Sequence, residues 1–138
     1  MAVLVFMGLI SASRSACAEE ITLYNSHGSA IAYIDTDDEM TIFLWGGKPV
    51  AYLEKGSVWG FNGQHLGWFE KGIIRDHDGC AVGCIKDAIT MVYDIEPLKG
   101  LKMLKPLKDL QELEPLRPLD QLKWSVTPLS LCLSAGAE

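Results

Sequence analysis

Several familiar chemistries have no foothold in this chain. It has no G-x-S-x-G elbow, no phosphate-cradling G-x-x-x-x-G-K-[ST] loop and no G-x-G-x-x-G fingerprint, so the common hydrolase, nucleotide and dinucleotide signatures are absent. Basic residues are few: 12 Lys and Arg against 18 Asp and Glu, a net charge of −6. Phosphate backbones require a basic face, so nucleic acid is not an expected partner. No apolar run approaches the ~20 residues that a spanning helix needs. Four cysteines (Cys17, Cys80, Cys84, Cys132) do not make a disulfide framework. Cys80 and Cys84 on one strand face would lie roughly 13 Å apart at the usual rise, too far to bridge.

Metal chemistry is equally thin. His27, His65 and His77 fall at different points of the sequence pattern described below, and RDHDGCAVGC (Arg75–Cys84) lacks a second Cys or His pair. No metal or other cofactor is expected. The acidic stretch DTDDE (Asp35–Glu39) lacks the ligand spacing of a calcium loop and reads as a solvated connector.

Four glycines organise what is present. The segments YNSHGSAIAYI (Tyr24–Ile34), FLWGGKPVAYL (Phe43–Leu53), WGFNGQHLGWF (Trp59–Phe69) and RDHDGCAVGCI (Arg75–Ile85) share one pattern. It runs through a turn glycine, then an apolar, a small, an aromatic or Cys, and an apolar residue. The glycines are Gly28, Gly47, Gly63 and Gly79, spaced 19, 16 and 16 residues apart. Asn-Gly and Asp-Gly flanked by β-branched and aromatic residues signal hairpins, and Glu-Lys-Gly closes the second and third units. Units this short fit neither a propeller blade nor a leucine-rich repeat. The fold class is therefore all-β: four two-stranded hairpins, about eight strands in a meander, packed around a common centre. Ala32, Ala51, Gly67 and Gly83 suit close approach near that centre. Strand alternation places Ile34, Leu53, Phe69 and Ile85 in the core.

These repeats resemble the four-fold β-flower domain proteins of bacteria. The likeness rests on YNS (Tyr24–Ser26), GKPVAYL (Gly47–Leu53) and GFNGQHLGWFEKGIIRDHDG (Gly60–Gly79), and on the closing KWSVTPLSL (Lys123–Leu131). It runs from about Ile21 to Leu133. Cys80 and Cys84 depart from the polar residue and aromatic expected there. The resemblance implies a pseudo-fourfold architecture and no established activity.

The remaining segments have their own patterns. Met1–Ala18 carries an apolar run, Ala2–Ile10, and an Ala16-Cys17-Ala18 cleavage pattern without a basic start, so export is expected. The organisation is then residues 1–18 as signal peptide, 19–96 as flower domain and 97–138 as a Leu/Pro/Lys-rich tail. From Leu98 to Leu122 every third residue is leucine, nine in all. That period matches no helical face, and the prolines favour an irregular, polyproline-II-like strand with a leucine edge, a proline-rich edge and a charged edge. The leucine edge is expected to dock on protein, its own flower or a neighbour's, the alternative being a low-complexity linker in mixed short turns. Residues 19–96 carry a net −8 and residues 97–123 a net +2, so the two regions should attract.

Candidate ligand-binding residues are the aromatics at repeated positions: Tyr33, Tyr52 and Trp68 in one register, Trp45 and Phe61 in another. The expected function is a non-catalytic exported binding or assembly module of the bacterial cell envelope. Its partners would be a protein or glycan ligand, or further copies through the tail. One alternative is a small hydrolase centred on Asp76, His77 and Cys80. Another is a scaffold that oligomerises through its tail.

Overall fold

The computed structural model describes residues 19–137; the expected signal peptide lies outside them. Eight strands follow in chain order: β1 Glu20–Tyr24, β2 Ala30–Asp35, β3 Thr41–Leu44, β4 Pro49–Glu54, β5 Ser57–Gly60, β6 His65–Glu70, β7 Ile73–Arg75 and β8 Ala81–Cys84. Each pairs antiparallel with its neighbour, and β8 returns to β1 through Tyr24 and Cys84, closing a barrel. The expected meander of about eight strands is thus observed, and closure leaves few free edges.

Local chemistry explains the hairpins. Lys55-Gly56 and Lys71-Gly72 have positive φ at both central positions (+52° and +81°, +56° and +79°), the geometry that matches the twist of two-residue hairpins. The opposite turns are longer, and side chains hold three of them. Asn25 Oδ1 accepts the N–H groups of His27 and Ser29, and Asp76 Oδ1 those of Asp78 and Cys80, at 2.9–3.0 Å. The carboxylate that shapes the fourth turn is therefore Asp76, rather than Asp78 next to the glycine. A bulge recurs in every hairpin, between Leu23/Tyr24, Ile42/Phe43, Val58/Trp59 and Ile74/Arg75. Bulges increase local bend and twist, and one per hairpin repeats the same bend around the axis.

Alternation sorts the side chains. Leu23, Ala32, Ile34, Ile42, Ala51, Val58 and Ile74 form a fully buried interior, with Leu53, Phe69 and Ile85 partly buried against it. The other strand face carries Tyr24, Tyr33, Phe43, Tyr52, Trp59 and Trp68, and these rings are buried too. A meander barrel alone would leave that face in water. The C-terminal third covers it.

Two C-terminal elements complete the barrel, a helix on the inside and a strap on the outside. A short helix, α1 (Leu129–Ser134), inserts Leu129 and Leu133 into the core beside Val50, Leu66 and Val82. Between Cys84 and α1 the chain has neither helix nor strand beyond one bridge, Ala81–Trp124, and runs as a strap over all four hairpins. The boundary expected at residues 96/97 falls inside this strap, and residues 129–137 belong with the barrel core.

Candidate functional site

The strap reaches every glycine turn in the same way. A Cβ built on Gly28, Gly47, Gly63 or Gly79 would meet the carbonyl oxygen of Val92, Leu101, Leu110 or Leu119 at 1.8–2.2 Å. Two residues further on, the strap donates back. The N–H groups of Asp94, Met103, Glu112 and Gln121 bond the glycine carbonyls of the same four turns at 2.8–2.9 Å. Gly100 N–H and Asp109 N–H add bonds to Trp45 O and Phe61 O. The contacts step by nine residues along the strap while the barrel steps by one hairpin.

Nine residues are three turns of a period-three strand, so every hairpin sees the same strap edge. The inward edge is polar. Lys99 Nζ lies 4.7 Å from the Tyr33 ring centre, Lys108 Nζ 4.3 Å from that of Tyr52, and Arg117 Cζ 5.8 Å from that of Trp68. A cation over a ring face is attracted to its quadrupole. Gln111 donates to Tyr52 Oη at 3.0 Å, and Trp68 Nε1 donates to Glu114 at 2.8 Å. Tyr33 Oη has no such partner and is the unpaired buried side-chain oxygen among the described residues.

Ion pairs follow the predicted charge asymmetry. Lys99 and Lys102 bond Glu20 at 2.7 and 2.9 Å, and Lys102 also bonds the buried Asp35. Their ammonium groups hold the Glu20 carboxyl below its usual range. Lys105 bonds Asp38 at 2.8 Å and Glu39 at 3.0 Å, and Arg117 bonds Glu70. The DTDDE segment is thus a seat for strap lysines. Exposed pairs of this kind are individually weak, about 0–1 kcal/mol; their repetition sets which edge faces the barrel.

The leucine edge consequently faces out. Val92, Ile95, Leu98, Leu101, Leu104, Leu107, Leu110, Leu113, Leu116, Leu119 and Leu122 are 83–105% exposed. The expectation that this edge docks on its own flower is corrected: the flower's outer face offers rings, carboxylates and turn carbonyls, which select cations and amides over aliphatic groups. The series starts two steps earlier than the leucines alone indicate.

The aromatics proposed as ligand sites sit beneath the strap. Tyr33, Tyr52, Phe61 and Trp68 are buried, Tyr52 and Phe61 with Trp59 in one cluster. Trp45 is half-buried and its Nε1 donates to Pro97 O at 3.1 Å. The chain's own tail occupies the surface on which an outside ligand was expected. A sequence signal for this was available: Pro97, Pro106 and Pro115 recur every nine residues, as do Lys99, Lys108 and Arg117. The shorter leucine period masks it.

The histidines also depart from expectation. His65 and His77, on adjacent hairpins, meet with Nδ1 and Nε2 3.0 Å apart, while His65 Nε2 lies 3.1 Å from Ser57 Oγ. Pairing of β6 with β7 brings their unlike register positions together; His27 stays apart. Burial and the neighbouring His77 lower the His65 pKa below its ordinary 6.5. Among the described residues no group of three His, Cys, Asp or Glu is arranged to hold a metal ion. Asp76 caps its own turn and His77 bonds His65. Among the described residues the free cysteines are Cys80, Cys84 and Cys132.

These features define a class: a closed barrel of four hairpins belted by its own C-terminal segment. Residues 21–133 match the family model described as 4-fold beta flower protein, and the chain belongs to that family. Comparison with curated proteins and with solved structures returned no match. Among the described residues no helix is long and apolar enough to cross a membrane.

Proposed function

We propose that this protein is a non-catalytic binding or assembly module exported to the bacterial cell envelope, and that its contact surface is the aliphatic edge of the strap. The observation that carries this reading is the row of eleven aliphatic side chains held in water by a strap whose amides bond the barrel at every hairpin and whose basic side chains pair with its carboxylates. Apolar patches on monomers usually stay within about 300–600 Å² and larger ones mark contact sites. Export rests on the sequence of residues 1–18 alone.

The test is fractionation of cells expressing the chain or a variant carrying Leu104→Gln, Leu113→Gln and Leu122→Gln. These positions are exposed, so tryptophan fluorescence and melting should not change. The expected result is an envelope-associated chain that the triple variant releases. Undiminished association of a folded triple variant would remove the edge from the function.

The hydrolase reading has weaker support. His77 borders a surface hollow of about 400 Å³ with Asp76 and His65, but the thiol lining that hollow is Cys132, not Cys80. A His77→Ala variant that keeps every measurable hydrolytic activity would end it.

A further inference from the structure

We infer that the partner of the aliphatic edge is further copies of this chain, packed side by side into an open assembly. This rests on the module reading above and names its partner.

The spacing of the edge argues for a second copy. Strap contacts step by nine residues from Gly28 to Gly79, so each hairpin presents two or three of the eleven aliphatic side chains at one three-residue spacing, roughly 9 Å at about 3.1 Å per residue. Side chains from two surfaces interdigitate only when both rows share a spacing. Another copy has that spacing on all its sides.

Area then separates an open assembly from a closed dimer. A convex barrel touches a flat neighbour along about one hairpin, or three to four of the eleven side chains. At about 100 Å² each, that is roughly 400 Å² per partner, half of the ~800 Å² per partner of a standard stable interface. One contact is weak. A copy held on several sides at once gains from multivalency. Because three sides carry three such side chains each and the fourth two, nothing stops growth at two; contacts that do not close give extended assemblies.

A bilayer fits less well. The edge is one side chain high, against a hydrocarbon core about 30 Å thick. Exposed carboxylates flank it: Asp109, Glu112 and Asp120 on the strap, and Glu39 on the barrel beside it. Immersion would bury them.

The test is sedimentation velocity on the purified full chain over a wide dilution series, with three variants. One carries Leu98→Gln, Leu107→Gln and Leu116→Gln, equivalent positions on three hairpins. The second changes only Leu104, Leu107 and Leu110 to Gln, one nine-residue step of the strap that ends at the Gly63 turn. The third makes the same change at Leu113, Leu116 and Leu119, the next such step. The expected result is a mass that rises with concentration past the dimer, a distributed variant that stays monomeric, and two one-sided variants that lose assembly partially and equally. A concentration-independent monomer overturns the inference. So does a dimer that stops growing, or one-sided variants of which one abolishes association and the other has no effect. Vesicles of neutral phosphatidylcholine are the remaining arm: a monomer that binds them through the leucines assigns the edge to lipid, against this inference. Failure here with leucine-dependent envelope association leaves the module reading standing; failure of both removes it.

Discussion

Replacing Gly63 by alanine separates the strap's contribution from that of the hairpin. Gly63 has a φ of +87°, and its Cβ would lie 2.2 Å from Leu110 O. The left-handed conformation alone costs an L-residue about 1 kcal/mol. Relieving the clash requires the strap to lift at this turn. That breaks the bonds from Glu112 N–H to Gly63 O at 2.9 Å and from Asp109 N–H to Phe61 O at 2.8 Å, each worth about 1 kcal/mol. The total is about 3 kcal/mol, a large part of a typical domain stability of roughly 5–15 kcal/mol. Gly56→Ala supplies the control. Its φ is +81°, but the nearest atom to its Cβ is Phe69 O at 4.0 Å, so about 1 kcal/mol of backbone strain is all it should lose. Gly79→Ala belongs between them. Its Cβ meets Leu119 O at the same 2.2 Å, but Pro118 has no N–H to donate, leaving one strap N–H bond at that turn, from Gln121. Side chains tie the strap at both turns, Arg75 to Gln121 O here and Glu112 to the His65 N–H at the third. Urea unfolding of the three variants should rank Gly63 above Gly79 above Gly56 in loss of stability, and limited proteolysis should cut the strap of the first most readily. Equal losses at Gly63 and Gly56 would refute the strap docking described here.

Trp68→Ala should destabilise the fold by about 3 kcal/mol, as large buried truncations do, with strap proteolysis rising in parallel; a stable variant with an intact strap would show that Trp68 does not anchor it. His65 should make stability fall on mild acidification. Its pKa is lowered in the fold by burial and by His77, partly opposed by Glu114 and Glu112, so below its ordinary 6.5 the unfolded chain binds a proton that the native site refuses. Stability should be complete above about pH 7 and decline toward about pH 5, and His65→Asn should flatten that slope in a melting series; an unchanged slope would exclude the site. Burial pushes the Cys132 thiol up to about 11 and also raises Cys84, so native protein should resist alkylation at mildly alkaline pH while denatured protein reacts. Rapid native labelling of Cys132 would contradict the seating of α1.

The sequence by itself determined the hairpins, their number and their phase. Turn glycines, Lys-Gly corners and strict alternation act over a few residues, so Gly28, Gly47, Gly63 and Gly79 were legible as turns, and Ala32, Ala51 and Ile34 as interior, without long-range information. The strap's period of three was equally plain. Its orientation was not: a period defines edges and leaves open which one turns inward. That was decided by the barrel's outer face, whose rings, rim carboxylates and glycine carbonyls exist as one surface only after eight strands have closed. Such a surface takes Lys99, Lys108, Arg117 and the strap amides, and it leaves the leucines in water. The same closure set His65 against His77 from unlike register positions. It also left a barrel end for Leu129 and Leu133 to fill from a helix too short to announce itself in sequence. Local rules wrote the four petals, and the surface those petals make together decided what lies against them.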